Sequence, residues 1–235
     1  MEGILPKTKD ILDKISSFES IKPYVMIGGT ALSLQMKHRL SEDIDFCRWK
    51  KSKNQKLSVD CASIEKELIT IGKFEKNVLG FEQIDYKIEG VKITFFCNNL
   101  KQPIDLKLID YKNNIKLADV HSIGVMKLQL MQQRRAFRDY YDIFSIVKSG
   151  VDFNTLANDA REFSRHTLRS RDVIFILSNG HLFHDEDSVK HLLPQYNVTA
   201  KEIETFLIPY IKQYAELRGK VFPTEKLVAL QQGKK

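Results

Sequence analysis

The sequence of 235 residues predicts an α/β (α+β) protein, with a mixed sheet in the N-terminal half and a helical C-terminal half. Three observations predict it. Before residue 119 the apolar runs are short, and they are either rich in β-formers or alternate with period two, with stretches of helical spacing between them. After Asp119 helical spacing takes over for most of the chain. The composition, 43% hydrophobic and 29% charged, is ordinary for a folded chain with a sizeable core, which excludes disorder, collagen and coiled coil as overall descriptions. The change of character predicts an α/β domain over residues 1–118 and a helical domain over 119–235, two lobes with a cleft that the second lobe completes.

Lys7 to Phe18 places Ile11, Leu12, Ile15 and Phe18 at helical spacing and reads as an amphipathic helix. Tyr24 to Ile27 is a short buried strand stopped by Gly28-Gly29, and helix returns from Thr30 to Lys37. Asp43 to Trp49 alternates polar and apolar, which gives a strand with two different faces. Lys50 to Ser58 is a polar loop carrying Lys50, Lys51, Lys53 and Lys56, and helix resumes around Cys61 to Ile71. From Phe74 to Asp110 the signals are mostly β: Ile84 to Ile88, a Glu89-Gly90 turn, Val91 to Cys97, and a further strand at Ile104 to Ile109. Helices follow near 120–133, 136–147, 153–163, 168–177 and 201–217, the last announced by the capping-box spacing of Thr199 and Glu202.

Lys and Arg number 37 against 30 Asp and Glu, a formal net charge of +7. That balance suggests polyanionic partners, with a solvated Lys-rich surface as the alternative. No apolar run approaches the roughly 20 residues that span a bilayer, and the start lacks the apolar core of a signal peptide, so a cytoplasmic protein with no membrane partner is expected. Cys47, Cys61 and Cys97 are odd in number and unclustered, which argues against a disulfide framework or a structural zinc site.

One segment carries chemistry. Gly28-Gly29 lies directly after a strand and before a helix, where the backbone can approach a ligand and the helix start offers N–H groups to phosphate oxygens; Thr30 follows. Thirteen residues then separate Gly29 from Asp43, enough for a helix and a return loop that bring Asp43-Ile44-Asp45-Phe46 beside the first strand. Asp43 and Asp45 share one face while Ile44 and Phe46 point to the core. Two carboxylates this close repel unless compensated, and a hard divalent cation compensates them: Mg²⁺ is commonly held by one or two carboxylates plus substrate phosphates, with Mn²⁺ as an alternative. Farther on, Lys127 and Arg134 lie seven residues apart, the spacing of one helical face aimed at an anionic ligand, and Asp139 and Asp142 share a face of the next helix. An Arg–Asp network joining two helices is the other reading of these residues.

This pattern closely resembles the signature of the polymerase-β-like nucleotidyltransferase superfamily: hydrophobic, Gly, Gly or Ser, a spacer, then Asp-hydrophobic-Asp. More narrowly, Gly28-Gly29-Thr30-Ala31-Leu32, Arg39-x-Ser41 ahead of Asp43-Ile44-Asp45-Phe46, and Met126-Lys127-Leu128 with Gln133-Arg134 and Arg138-Asp139 through Asp142-Ile143 resemble the AbiEii/AbiGii-type toxin nucleotidyltransferases. The resemblance spans residues 20 to 148. It implies a nucleotidyltransferase-like sheet and Mg²⁺-dependent transfer of an NMP from an NTP to an acceptor, with Asp43 and Asp45 as catalytic metal ligands. Gly28, Gly29 and Thr30 would cradle the triphosphate, Lys127 and Arg134 would contact the nucleotide, and Asp139 would complete the polar wall. It further implies the toxin of a bacterial toxin–antitoxin or phage-defence pair, with a cognate antitoxin encoded nearby and an RNA acceptor, the tRNA 3′ end in some relatives. Active superfamily members usually carry a third acid in a hydrophobic-acid-hydrophobic strand. Here Thr94 occupies that slot, and Asp105, flanked by Ile104 and Leu106, is the nominee instead.

Two alternatives stay open: a small-molecule or protein hydroxyl as acceptor, and a degenerate, non-catalytic nucleotide- or RNA-binding module, which Thr94 motivates. His181 and His184 with Asp185, Glu186 and Asp187 lack an HExxH pattern and read as surface residues; Cys47 shares the face of the two aspartates and reads as a half-buried strand cysteine. Arg161, Arg165, Arg169 and Arg171 add positive charge that suits RNA phosphates or a solvated face.

Overall fold

In the computed structural model, residues 3–219 are described, apart from position 53 and residues 102–105. The chain divides into two units, Met1–Ile123 with Leu192–Gln195, and Gly124–His191 with Tyr196–Lys235. In the first, helix α1 (Pro6–Ile15) precedes strand β1 (Val25–Ile27), helix α2 (Gly28–Met36), strand β2 (Ile44–Lys50) and helix α3 (Cys61–Leu68). Strands β3 (Phe74–Val78), β4 (Gln83–Ile88), β5 (Val91–Lys101), β6 (Leu108–Lys112) and β7 (Ile115–Ala118) follow. All seven form one mixed sheet in the order β3-β4-β5-β2-β1-β7-β6, with β5 running parallel to β2 and β1 antiparallel to it.

Strand alternation gives this sheet its core face. Ile44 and Phe46 of β2, Ile93 and Phe95 of β5 and Ile84 and Tyr86 of β4 fall in register and are all buried. The Phe46 and Phe95 rings stack at 5.3 Å, and Tyr24 and Tyr86 meet Phe95 edge-on at 5.2 and 6.0 Å. Ile11, Leu12 and Ile15 of α1 and Ile64 and Leu68 of α3 are buried as well, as their spacing predicts. Each such aliphatic side chain contributes about 1.5–3 kcal/mol by leaving water. Strand β7 carries no clear signal in the sequence. Its four residues are too few to show a period, and its place beside β1, with Leu117 level with Met26, is set by tertiary pairing.

The second unit is built from the C-terminal part of α4 (Val120–Leu130) with α5 (Phe137–Lys148), α6 (Phe153–Phe163), α7 (Ser170–Leu177) and α8 (Ala200–Leu217). Helix α5 is buried along nearly its whole length, so its mostly apolar sequence has no solvent face. Helix α8 starts at the predicted capping box: Glu202 N donates to Thr199 Oγ1 at 3.2 Å and Thr199 N to Glu202 Oε2 at 2.8 Å. The acids after His181 also cap helices, since Asp185 accepts from Phe137 N at 2.7 Å and Glu186 from Ala200 N at 2.8 Å. Among the described residues no helix is long and apolar enough to cross a membrane.

Candidate active site

β1 ends where α2 begins. Ile27 lies level with Asp45 on the antiparallel β2, so the strand-to-helix turn opens directly onto that carboxylate. Gly28 makes the turn at φ +75°, in the left-handed region, and a Cβ built on it would stand 2.4 Å from Asp45 Oδ2. A Cβ on Gly29 would stand 2.8 Å from Arg39 Nη2 and 3.1 Å from Ser41 Oγ. Gly28 is required by its left-handed backbone, and at both glycines polar side chains close on the backbone. Ile27 provides no side-chain cap, which leaves the first-turn N–H groups of α2 pointing toward the same place, the positive end of the helix.

The return loop is held from several directions. Leu40 N donates to Leu192 O at 2.6 Å, Gln195 N to His38 O at 2.8 Å, and Leu5 N to Ser41 O at 3.0 Å. Arg39 is buried and donates to Leu40 O at 2.9 Å. Thr30, fully buried, exchanges a hydrogen bond with Ser41 Oγ at 2.9 Å and donates to the main-chain carbonyl of Asp43. Thr30 thus ties the helix start to the strand that carries the acids. Asp43 lies just ahead of β2 and Asp45 on it, both half-buried, while Ile44 and Phe46 are buried, as the alternation predicts.

Thr94 of β5 is level with Asp45, and it is only 8% exposed. Its Oγ1 is buried without a hydrogen-bond partner among the described residues. On the far side of Thr94, β4 places Asp85 in the same row, ion-paired with Lys92 at 3.4 Å. Asp105 lies outside the described residues. Among the described residues no group of three or more metal-ligating side chains is assembled. The site thus offers two carboxylates beside a helix N-terminus, a donor set that fits Mg²⁺, which takes one or two carboxylates and completes its shell with water and substrate phosphates.

In the second unit, Lys127 Nζ stands 2.9 Å from Asp139 Oδ1 and 2.7 Å from Asp142 Oδ2, with the three side chains 8%, 2% and 0% exposed. Arg134, 54% exposed, joins Asp139 through Nε at 2.8 Å and Nη2 at 3.3 Å. Burial pushes the Asp139 carboxyl upward, but the charges of Lys127 and Arg134 outweigh it and hold the group below its ordinary value. One expectation is corrected. The helix carrying Lys127 ends at Leu130, not Gln133, so Arg134 lies beyond it and the shared-face spacing does not apply. The two cations meet instead on Asp139. Asp142 joins the cluster as a second carboxylate for Lys127; its spacing of three from Asp139 is the signal that could have placed it there.

Residues 10–227 match the family described as "Nucleotidyl transferase AbiEii toxin, Type IV TA system". The chain belongs to this AbiEii family of nucleotidyltransferase toxins. It is 23% identical over 219 residues to an uncharacterised protein of Aquifex aeolicus, covering 92% of this chain and all of that one. Its fold is similar to a putative nucleotidyltransferase from Helicobacter pylori, at a TM-score of 0.56 and 17% identity over 90% of this chain and 96% of that one. The nucleotidyltransferase toxin MenT4 of Mycobacterium tuberculosis is similar at a TM-score of 0.51 and 13% identity, over 94% and 86% of the two chains. As an AbiEii protein the chain is a nucleotidyltransferase toxin of a type IV toxin–antitoxin system, which implies an NTP substrate and an antitoxin.

Proposed function

We propose that this AbiEii protein transfers an NMP from an NTP to a hydroxyl of an RNA acceptor, with Asp43 and Asp45 as its metal-binding carboxylates. The single observation that carries the reading is the closure of Asp45 onto Gly28 at the start of α2, where Ile27 provides no side-chain cap. Phosphate and carboxylate chemistry meet there within one turn of backbone. The N–H groups of Gly28, Gly29 and Thr30 bind and orient the triphosphate beside the Asp45 carboxylate. Bound Mg²⁺ would supply charge neutralisation at the phosphates and a lower pKa for the acceptor hydroxyl. The acceptor oxygen forms its bond to the α-phosphorus, the bond from that phosphorus to the bridging oxygen breaks, pyrophosphate leaves and the hydroxyl proton passes to solvent or a neighbouring carboxylate.

Thr30 and Ser41 keep Asp43 in place, so the acids do not need to reorganise as charge develops. For Lys127 and Arg134 the proposed role is contact with the nucleotide, with Asp139 as the residue that positions both; the family resemblance supports this, and Arg134 is the exposed member. An RNA acceptor is supported by the net charge of +7.

The test is incubation of the purified protein with each α-labelled NTP, Mg²⁺ and total RNA. Label is expected to move to RNA with wild-type protein and not with Asp43→Asn. No transfer from any NTP, with wild type and variant behaving alike, would overturn the reading. Mg²⁺-dependent NTP binding without turnover would replace it by the non-catalytic module that Thr94 motivates. Label on a small molecule or a protein would replace only the acceptor.

A further inference from the structure

The positive charge of the first unit is not spread evenly. At the end of β2 away from Asp43, a cavity of about 480 Å³ is walled by Lys22, Arg48, Trp49, Lys50, Lys51 and Lys116. No carboxylate is among its described lining residues. Lys22 and Lys116 have the acidic neighbours Glu19 at 2.6 Å and Asp110 at 3.7 Å, exposed pairs that contribute little, and Arg48 also lines a neighbouring cavity with Glu19, Asp60 and Glu67. Lys50 also lines a second cavity of about 520 Å³, shared with Lys56, Leu57, Phe81 and a single acid, Glu82. Phe81 is 89% exposed, although its backbone is fixed by Val59 N donating to Phe81 O at 3.1 Å. Lys50 lines both cavities, and each holds lysines and an aromatic ring, Trp49 in the first and Phe81 in the second.

Five cations around the first cavity, with no acid among them, attract a polyanion. The exposed Phe81 ring and the half-buried Trp49 narrow the choice to a ligand that alternates phosphates with flat bases. Basic grooves interleaved with aromatics are how proteins hold single-stranded nucleic acid without reading its sequence. The first cavity lies on the strand that carries the acids: Asp45, buried Cys47 and Trp49 alternate onto one face of β2. At about 3.3 Å per residue, Trp49 lies roughly 13 Å along the strand from Asp45, a span that a few nucleotides bridge. A duplex presents its bases stacked inward and cannot offer them to Trp49 and Phe81.

We infer that the two cavities act as one groove, from Lys22 and Trp49 across Lys50 to Phe81, that binds the single-stranded backbone of the RNA acceptor and leads its end toward Asp45. This rests on the reading of RNA as the acceptor, but its test does not need turnover. Trp49 is the only tryptophan of the chain, so its fluorescence reports binding at this site. The intact protein is titrated with a single-stranded oligonucleotide of about 12 residues, in the range such grooves accommodate, with no NTP present. The expected result is a saturable change in Trp49 emission whose affinity falls with salt. Lys22→Gln/Lys116→Gln should weaken binding about tenfold and make the log–log salt slope shallower by about 1.4, two phosphates at about 0.7 each. Phe81→Ser should weaken it by about fivefold or more through lost stacking. The substituted side chains are exposed, so folding is not at stake.

An emission change that both variants leave intact, an affinity indifferent to salt, or equal displacement of the oligonucleotide by inorganic tripolyphosphate would each overturn the inference. So would preference for a duplex of the same sequence. Intact groove binding in a protein that transfers no label would instead overturn the proposed function and leave this site standing.

Discussion

In the first unit, Asp43 and Asp45 stand two residues apart on and beside a strand, half-buried, against glycine backbone and a helix N-terminus. In the second, Asp139 and Asp142 stand three apart on a helix, almost fully buried, with the Lys127 ammonium between them. Both pairs bring like charges together, which costs energy unless a cation is supplied. The buried pair receives its cation from the chain itself. The half-buried pair keeps part of its surface in solvent, and a cation and a phosphate from solution are what we propose it binds. Closeness of two acids therefore says little about function by itself; the cation held between them and the solvent that reaches them distinguish the two pairs.

Breaking each pair should separate the two cases. The largest effect is expected from Lys127→Met, which leaves two buried carboxylates facing each other and should lower unfolding stability by about 3–5 kcal/mol. Lys127→Met/Asp142→Leu should recover most of that loss in denaturant titrations, because Arg134 still pairs with Asp139; failure to recover would place the cost outside the ion pair. Asp43→Asn should behave in the opposite sense, cutting transfer about 100- to 1,000-fold while thermal stability stays level or rises as repulsion is relieved. A drop in melting temperature there would mean that Asp43 is a structural brace after all.

Gly28→Ala should cost about 1–2 kcal/mol from its left-handed backbone alone, and more from the contact with Asp45, with activity falling further than stability as the carboxylate is displaced. Thr30→Val should cost about 1–3 kcal/mol, since it leaves the Ser41 hydroxyl and the Asp43 carbonyl without their buried partner. The smallest effect is a pH dependence. Asp139 is held below its ordinary value in the folded chain, so in the acid range the unfolded chain binds more protons. Its stabilising contribution is full above the ordinary carboxylate pKa of about 3.9 and is lost as pH falls through the lower folded value. Acid unfolding of wild type against Asp139→Asn should show a shallower acid limb in the variant.

Much of this architecture is legible in the amino-acid sequence. The Gly28-Gly29 break, the spacing to Asp43, the alternation that buries Ile44 and Phe46, and the Thr199–Glu202 capping box are local or short-range patterns, and each is realised where the spacing puts it. The strand β7 and the end of α4 are not legible there, because four residues show no period and a helix end depends on what the following chain packs against. The row of Asp45, Thr94 and Asp85 is only partly so: the Thr94 slot shows in the pattern of β5, whereas Asp85 joins it through the pairing of β4 with β5.

Family, fold class and acidic motif thus follow from residue types at fixed short separations, which the backbone converts into faces. Tertiary pairing alone closes Arg39 and Ser41 on Gly29 and encloses Lys127 between two carboxylates. It also brings Lys50 and Lys51 into one cavity with Lys22 and Lys116, and Lys50 and Lys56 into another with Phe81. Those arrangements join residues far apart along the chain, and their separation is overcome by sheet pairing and burial, which no local period records.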